Sequence, residues 1–369
     1  MKIFVIGHNF VLAENHKQIK CLLEQDPALQ VKLLAPPWWH ENTRKIREEK
    51  SEDNTYQIIK GQTLFTGNNT LYFYLNKLLV SLLSFKPDLI EIFEEPWSLS
   101  VLQLVILKKI LRLKAKIVCY SAQNIYKKLP FPFNFIEKFN FKNIQGIHVC
   151  SQEVEDVLKQ KTYNGQVRNL GLGLDTDTFS YKPKPAGKTL QLGYAGRLVE
   201  AKGVFDLLTA MISLDDAVLT ICGSGPDEKL IKEHIKNYHL EKKVILKGPL
   251  QLPELINFYH CLDLLVVPSK TTAGWKEQFG RIIIEAFACG TTTLGSNSGS
   301  IPEITRDYGL IFEEGNIQDM LDKIADFKKN RETWQNKKPA ARQYVLDCFS
   351  WPMLAKKYYE FYTEVTKLT

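Results

Sequence analysis

The chain has 369 residues, of which 44% are hydrophobic and 24% are charged, and its formal net charge at pH 7 is +7. This length exceeds one typical domain and the composition supplies ample core, which excludes an extensively disordered chain and predicts two globular domains. A charge of +7 suits nucleotide diphosphates, anionic glycans or an anionic membrane face, but it is far below the dense basicity of a dedicated nucleic-acid binder.

The N-terminus reads as a short strand, Lys2–Ile6, rather than as an export signal. Its apolar run is about five residues, which is too short for a signal-peptide core or a membrane span. The seven cysteines lie far apart without a C-x-x-C pair, which favours buried free thiols over metal or disulfide chemistry. We therefore expect a cytoplasmic protein, with peripheral association at the inner face of the membrane as an open alternative.

Strand-like runs alternate with helical patterns through the first half of the chain. Strands are expected at residues 2–6, 31–35, 88–93, 116–121, 146–150 and 166–170. Helices are expected at residues 11–24, 71–85, 99–113, 135–141 and 152–161. This alternation predicts an α/β domain with a doubly wound parallel sheet covered by helices on both faces.

Polar side chains follow three of these strands at their carboxyl ends, where parallel sheets bind ligands. His8 could contact a ligand or accept a proton, and a structural hydrogen bond is the alternative. Glu94 and Glu95 are adjacent, so at most one of them, taken as Glu95, points at a ligand. The alternative is that both belong to a helix N-cap region that favours negative charge. Gln123 and Asn124 could bond ligand hydroxyls but cannot accept a proton.

A basic and apolar run occupies residues 104–116, where cations are interspersed with Leu and Ile. Such a helix could dock on anionic lipid or could simply present a solvated face. The cations are Lys108, Lys109, Arg112, Lys114 and Lys116.

A Gly- and Pro-rich segment at residues 171–188 breaks both periodicities and marks a domain junction. We therefore expect domains at residues 1–172 and 173–350, followed by a terminal helix at 351–369. Asp175 and Asp177 spell a D-x-D pair, but no apolar strand precedes them and we expect no metal there.

Turns follow the expected strands of the second half as well. Arg197 and Lys202 leave the strand-to-helix turn that begins at Gly196, so both can reach one diphosphate, and surface salt bridging is the alternative. Gly223 opens a G-x-G turn that imitates a phosphate-binding loop, and Gly248 follows the next strand.

The stretch from Pro268 to Thr305 joins the end of an apolar strand to a loop and a helical pattern at 279–289. Unpaired N–H groups and the helix dipole meet at such a helix start, which predicts an anion site. Glu277 and Glu285 bracket the helix start with seven residues between them, and eight helical steps span at most roughly 12 Å.

The run EQFGRIIIEAFACG from Glu277 to Gly290, followed by GSIPE from Gly299, resembles the E-x7-E signature of the retaining family 4 glycosyltransferases of GT-B fold. The segment from Gly196 to Gly203 is similar to the G-R-L…K-G element of that family. Gln278 stands where the family usually has Pro. The resemblance is tight over about residues 190–312 and weak over the first half.

This resemblance implies two Rossmann-like doubly wound parallel-sheet domains that face a central cleft, with the terminal helix crossing back to the first domain. It implies retaining, metal-independent and cofactor-independent transfer of a hexosyl unit from a UDP- or GDP-linked sugar to a hydroxyl acceptor. The process would be glycan, polysaccharide or glycoconjugate biosynthesis, and the acceptor a glycan, a lipid-linked molecule or a small molecule. A nucleotide-sugar epimerase or phosphorylase of the same fold and a non-catalytic sugar-nucleotide binding protein are the alternatives.

The resemblance also assigns roles to residues. Glu277 would bond the donor sugar, Glu285 the ribose, and Arg197 and Lys202 would neutralise the leaving diphosphate, so that the catalytic residues are Arg197, Lys202 and Glu277. The donor-binding set is Gly196, Arg197, Lys202, Gly223, Gly248, Glu277, Gln278, Phe279, Gly280, Arg281 and Glu285. The candidate acceptor-binding set is His8, Glu95, Gln123 and Asn124.

Overall fold

The structure is a computed structural model that describes residues 1–41, 44–47, 55–182, 184 and 187–368. The chain divides into two compact units. The first unit consists of Met1–Gly173 together with Trp351–Thr369, and the second of Leu174–Ser350.

The first unit contains a seven-stranded parallel sheet and two small antiparallel hairpins. Its strands are β1 (Lys2–Ile6), β2 (Gln30–Ala35), β3 (Trp38–Glu41), β4 (Arg44–Arg47), β5 (Gln57–Lys60), β6 (Thr63–Leu64), β7 (Phe73–Tyr74), β8 (Leu89–Ile92), β9 (Lys116–Ser121), β10 (Gly146–Val149) and β11 (Gln166–Asn169). The sheet order is β11-β10-β9-β8-β1-β2-β5, and the hairpins pair β3 with β4 and β6 with β7.

Helices cover this sheet. They are α1 (His16–Leu23), α2 (Leu78–Phe85), α3 (Leu99–Ile110), α4 (Phe133–Phe141) and α5 (Gln152–Gln160). The central strands are apolar and buried because both faces are covered: every residue of β8 is buried, and so are the last four of β1.

The second unit contains a six-stranded parallel sheet in the order β14-β13-β12-β15-β16-β17. Its strands are β12 (Leu190–Ala195), β13 (Ala217–Cys222), β14 (Val244–Lys247), β15 (Leu264–Val267), β16 (Thr292–Ser296) and β17 (Leu310–Phe312). Its helices are α6 (Val204–Ile212), α7 (Glu228–Asn237), α8 (Leu252–Cys261), α9 (Arg281–Cys289), α10 (Ile301–Thr305), α11 (Ile317–Lys329) and α12 (Arg331–Phe349). The last helix, α13 (Trp351–Thr366), belongs to the first unit and packs on α1.

The predicted helix at 11–24 is wrong over its first turn. Short 3-10 turns at His8–Val11 and Ala13–Asn15 precede α1, and the side chains bond main-chain carbonyls there. Asn15 Nδ2 donates to the Asn9 carbonyl at 2.7 Å, and His16 Nε2 lies 2.8 Å from the Phe10 carbonyl. Such side-chain hydrogen bonds compete with the regular main-chain bonds of a helix. The spacing of apolar residues therefore predicts a longer helix than the structure contains.

The predicted helix at 71–85 is wrong over its first half. Phe73–Tyr74 forms β7, and Lys77 at φ +67° separates that strand from α2. The Tyr72 and Tyr74 rings are buried and pack edge-to-face with centroids 5.8 Å apart. Tertiary aromatic packing therefore overrides the helical period of this segment.

The basic run at 104–116 is not one helix. α3 ends at Ile110, Arg112 adopts φ +52°, and Lys116 begins β9.

The predicted helix at 279–289 also starts later, at Arg281, because Gly280 at φ +78° occupies the left-handed region at its N-cap. None of the helices in the described part of the chain combines the length and apolar character that crossing a membrane requires.

Candidate functional site

Three of the predicted glycines meet in the second unit, at the carboxyl ends of β12, β13 and β14. The Gly196 N–H donates to the Cys222 carbonyl at 3.0 Å, and the Gly223 N–H donates to the Gly248 carbonyl at 3.3 Å. Gly223 has φ +142°, and a Cβ there would lie 1.9 Å from the Gly196 carbonyl oxygen. These three glycines contribute no side chains at this edge of the sheet, so a phosphate can approach the main chain there.

The turn that carries Lys202 lies directly against the end of β15. Gly203 follows Lys202 with φ +70°, and a Cβ at Gly203 would lie 1.8 Å from the carbonyl oxygen of Pro268. A larger residue cannot occupy this position without displacing main chain, so glycine allows the β12 turn and the β15 loop to touch.

Lys202 and Glu277 are joined in an ion pair, although 75 positions separate them. Lys202 Nζ lies 2.6 Å from Glu277 Oε2, and the same oxygen accepts a hydrogen bond from Ser269 Oγ at 3.0 Å. Lys202 Nζ also lies 4.5 Å from the centroid of the Trp275 ring. The two charged side chains are only 26% and 12% exposed, which strengthens their interaction relative to a surface pair. We call Lys202, Ser269, Trp275 and Glu277 the lysine–glutamate cluster.

The main chain around Glu277 is fixed by the turn before α10. The Ser300 N–H donates to the Glu277 carbonyl at 3.1 Å, and a Cβ at Gly299 would lie 2.1 Å from the same oxygen. Gln278 is exposed, whereas Phe279 is buried and its ring packs edge-to-face on Phe349 with centroids 5.5 Å apart. This anchoring sets the direction of the loop that leads into α9.

Glu285 lies within α9 and belongs to a separate set of contacts. Its Oε2 accepts a hydrogen bond from the Tyr259 hydroxyl at 2.7 Å, and its Oε1 lies 3.1 Å from Arg281 Nε. Burial and, after it, the charge of Glu285 raise the pKa of Tyr259 well above its usual value, so the phenol stays protonated and donates. The limit of roughly 12 Å between Glu277 and Glu285 applies to an interval that is helical throughout. Because α9 starts only at Arg281, only the part from Arg281 to Glu285 is helical.

Arg197 lies outside the lysine–glutamate cluster. Its carbonyl accepts a hydrogen bond from the Tyr194 hydroxyl at 2.8 Å, which fixes the turn after β12. Its side chain is exposed, and its guanidinium makes no ion pair or hydrogen bond with any residue that the structure describes. The structure thus brings Lys202 into contact with Glu277 and leaves Arg197 as a solvent-facing cation in the same turn.

In the first unit, His8 contacts the first of the two adjacent acids. His8 Nδ1 lies 2.5 Å from Glu94 Oε1, and the Tyr72 hydroxyl donates to the same oxygen at 2.6 Å. The His8 ring lies against the Trp39 ring with centroids 4.5 Å apart. Glu94 is only 3% exposed, so this carboxylate serves to hold His8 and Tyr72.

Glu95 points toward β9, on the other side of β8 from His8. It accepts hydrogen bonds from Ser121 Oγ at 2.7 Å and from the Ala122 N–H at 2.8 Å, both at the end of β9. Burial raises the pKa of Glu95 to about 7 against the effect of these two bonds. The adjacent acids therefore diverge toward β1 and β9, as expected for neighbouring positions of an extended chain.

The two predicted amides are each held by a charged side chain. Gln123 Oε1 accepts from Lys161 Nζ at 2.6 Å, and Asn124 Nδ2 donates to Glu153 at 3.2 Å. These contacts do not include His8, so the four acceptor candidates occupy separate contact sets at the same edge of the sheet.

Replacing Glu95 with glutamine is expected to flatten the pH dependence of folding stability. The pKa of Glu95 rises from an ordinary 4.5 to about 7 on folding, so between these values the folded state keeps a proton that the unfolded state has lost. The free energy of unfolding must therefore fall as pH rises from about 4.5 to about 7, and Glu95 contributes about 3 kcal/mol to this fall. Urea unfolding at pH 4.5, 6 and 7.5 measures the difference, and a slope equal to that of the wild type would contradict the assignment.

The D-x-D pair forms a capped turn. The Asp175 carboxylate accepts bonds from the N–H groups of Asp177 and Thr178 and from the Thr178 hydroxyl at 2.9 Å. Among the residues that the structure describes, no group of three or more His, Cys, Asp and Glu side chains is placed to hold a metal ion.

Several site residues were not identified from the sequence. Ser269 directly follows the predicted strand end at Pro268, which is a usable signal. Tyr72, Trp39 and Tyr259 reach Glu94, His8 and Glu285 only through the fold, and no local pattern marks them.

Comparison with known proteins matches the chain to one family model and to curated relatives. The family model described as "Glycosyl transferases group 1" matches residues 175–344. N-acetyl-alpha-D-glucosaminyl L-malate synthase of Bacillus anthracis is 28% identical over 173 residues, which is 46% of this chain and 44% of that protein. Glycogen synthase of Mycobacterium tuberculosis is 24% identical over 229 residues, 60% of this chain and 54% of that protein. The chain thus spans about half the length of the curated relatives that it matches.

Solved structures match over nearly the whole chain. Sucrose-phosphate synthase from Thermosynechococcus elongatus has a TM-score of 0.74 at 18% identity and covers 99% of both chains. A glycosyltransferase from Rickettsia africae has a TM-score of 0.77 at 16% identity, covering 100% of this chain and 99% of its own. Anabaena HepE in complex with UDP and glucose has a TM-score of 0.70 at 15% identity, and the match covers 98% of this chain and 99% of HepE.

At such identities these structures establish the fold. The predicted α/β class with two Rossmann-like parallel-sheet domains is confirmed, and so is the predicted resemblance to glycosyl transferases group 1. The segment that carries the lysine–glutamate cluster lies within residues 175–344, which match the glycosyl transferases group 1 model, and the chain has the GT-B fold.

Proposed function

We propose that this protein is a retaining hexosyltransferase that moves a hexosyl unit from a UDP- or GDP-linked sugar to a hydroxyl acceptor. The lysine–glutamate cluster carries the proposal: an ammonium, a carboxylate and a hydroxyl meet beside the glycine turns and the start of α9. A cation next to unpaired amides suits a diphosphate, and a carboxylate beside them suits sugar hydroxyls. The family match over residues 175–344 supports the same assignment.

The chemistry requires that negative charge be held as the bond between the anomeric carbon and the diphosphate breaks. Lys202 would supply a point charge and Arg197 a planar guanidinium, while the amides of Phe279 and Gly280 would donate to the same group. The acceptor oxygen would form its bond to the anomeric carbon on the face that the diphosphate leaves, and the departing diphosphate oxygen would take the acceptor's proton. The configuration is therefore retained. These cations and amides would stabilise the leaving group without a metal ion.

Glu277 would then bond the hexose and Glu285 the ribose. The nucleotide side would rest on the glycine turns at Gly196, Gly223 and Gly248, where the main chain is accessible. Gln278 and Arg281 complete the proposed donor-binding set, since Gln278 directly follows Glu277 and Arg281 Nε lies 3.1 Å from Glu285 Oε1.

The acceptor would lie against the first unit. His8 and Glu95 follow neighbouring strands, and Gln123 and Asn124 follow the next one. Imidazole, carboxyl and amide groups all bond hydroxyls, which is the chemistry of a glycan, lipid-linked or small-molecule acceptor. A cytoplasmic location, which supplies nucleotide sugars, is part of the same proposal.

A panel of nucleotide sugars tests this function. UDP-glucose belongs in it because a HepE structure was determined with that ligand, and GDP-mannose because a relative from Corynebacterium glutamicum is described as dependent on it. Without acceptor, a transferase should slowly release one nucleotide by hydrolysis. Interconversion of the sugars would instead identify an epimerase. Nucleotide release that requires inorganic phosphate would identify a phosphorylase, and tight binding without turnover would identify a non-catalytic sensor.

A further inference from the structure

Helices α2, α3 and α4 cover the same face of the first unit's sheet. Each connects to a strand further along the order β5-β2-β1-β8-β9-β10-β11, so all three crossovers advance in one direction. The α5 crossover from β10 to β11 advances in the same direction, so α5 lies at the far end of this face. Right-handed crossovers that advance in one direction place their helices on one face. α1 connects β1 to β2 in the opposite direction and lies on the other face with α13. We call α2, α3 and α4 with the loop at 126–132 the helical face.

Large apolar side chains are exposed on this helical face. Of the 18 exposed large hydrophobic residues among those described, nine lie in α2, α3, α4 or the loop at 126–132. Val80 is 65% exposed, Ile110 69%, Phe131 79% and Phe135 67%. The rings of Phe131 and Phe135 lie 6.1 Å apart, which makes them one protruding pair. Scattered apolar residues are normal at a surface, but this concentration on one face marks an interaction site.

Cations border these apolar side chains. Lys109 Nζ lies 5.5 Å from the centroid of the Phe139 ring, which joins the end of α3 to α4. Burial and then the neighbouring charges of Lys116 and Lys109 lower the pKa of Lys108, as expected where like charges crowd. The exposed basic residues of this region are Lys77, Lys86, Lys109, Arg112, Lys114, Lys127, Lys128, Lys138 and Lys142.

Acidic side chains are nearly missing from the same helices. α2, α3 and α4, all within the described range 55–182, contain a single carboxylate, that of Glu137. It is buried and paired with Lys161 at 2.6 Å. The other acids of the helices on this side of the sheet lie in α5 at its far end, where Glu155 and Asp156 pair with Lys159. A solvated helix face would mix both charge signs and expose few apolar groups, whereas the helical face combines cations with aromatic and aliphatic side chains.

We propose that the helical face binds the surface of an anionic lipid bilayer. Phe131, Phe135 and Ile110 would enter the boundary between headgroups and acyl chains, and the lysines around them would pair with lipid phosphates. A second copy of the chain would present the same cations and be repelled, so self-association fits this surface poorly. The inference uses residues outside the proposed donor and acceptor sites and stands independently of the proposed activity.

Sedimentation of the full-length protein with vesicles tests this proposal. We expect binding to phosphatidylcholine vesicles that contain about 30% phosphatidylglycerol, weak binding to phosphatidylcholine alone, and loss of binding in about 1 M salt. The triple variant Ile110→Ser, Phe131→Ser, Phe135→Ser should bind anionic vesicles at least about tenfold more weakly. Its matched control is Ile212→Ser with Ile245→Ser, which removes exposed apolar side chains from the second unit and should bind like the wild type.

A second pair of variants tests the charge. Lys109→Glu with Lys138→Glu should weaken binding to anionic vesicles, whereas Lys236→Glu with Lys242→Glu, on exposed positions of the second unit, should have a much smaller effect. All substituted side chains are exposed, so the melting temperature should be preserved. Equal binding to both vesicle types, or undiminished binding of the triple variant, would overturn the proposal. So would a triple variant whose only change is weaker self-association in analytical ultracentrifugation, because the face would then join copies of the chain.

Discussion

Lys202→Ala is expected to lower kcat for transfer by about 100-fold to 1,000-fold, with a smaller change in the KM for the donor. The ammonium lies in the turn after β12, 2.6 Å from Glu277, where it would meet the charge that develops on the leaving diphosphate. Its loss also removes this ammonium from beside the 12%-exposed Glu277 carboxylate. Both effects act mainly on the transition state, because the charge on the leaving oxygen is greatest there.

A matched lysine provides the control. Lys243 has nearly the same side-chain exposure as Lys202, 27% against 26%, and it also forms an ion pair, with Asp215 at 2.9 Å. It precedes β14, at the opposite end of the sheet from the cluster. Lys243→Ala should therefore retain wild-type kinetics, and Lys202→Arg should lie between wild type and Lys202→Ala. Unchanged kcat in Lys202→Ala would remove its assigned role.

Glu285→Ala is expected to raise the KM for the donor by about 10-fold to 100-fold with a smaller effect on kcat. The carboxylate would bond the ribose, which is distant from the bond that breaks, so its contribution is the same in the ground state and the transition state. The variant should also be less stable by about 1–3 kcal/mol, because the buried Tyr259 hydroxyl loses its acceptor.

Two further variants separate binding from stability at this position. Glu285→Gln keeps an acceptor for Tyr259 but removes the charge opposite Arg281, and it should recover most of the stability while the KM stays high. Tyr259→Phe removes the donor and leaves Glu285 in place, so it should alter stability more than KM. Initial rates over a range of donor concentrations, with thermal unfolding of each variant, measure both quantities. A wild-type KM in folded Glu285→Ala would refute the ribose contact.

The sequence predicted the sheets better than the connections between strands. β1 and β9 have the predicted limits, because buried parallel strands are short apolar runs bounded by turn residues. Hairpins β3–β4 and β6–β7 were not predicted. The segment before α2 has a helical apolar period, but its tyrosines pack into the first unit instead, and periodicity alone cannot show which neighbour a ring will find.

The candidate site was predicted in its residues but not in its contacts. Spacing placed Lys202 and Glu277 beside their strands, yet only the order of β12 next to β15 brings them within 2.6 Å. Likewise the two acids after β8 diverge to opposite neighbours because β8 lies between β1 and β9. Side-chain contacts over 75 or 86 positions depend on strand order, which local pattern does not encode.

A crystal structure of the protein with the nucleotide sugar that it hydrolyses tests the central claim most directly. The account predicts the diphosphate at the carboxyl ends of β12 and β15, with a phosphate oxygen within hydrogen-bond distance of Lys202 Nζ and a ribose hydroxyl at Glu285. A diphosphate bound elsewhere, with Lys202 still held only by Glu277, would contradict it.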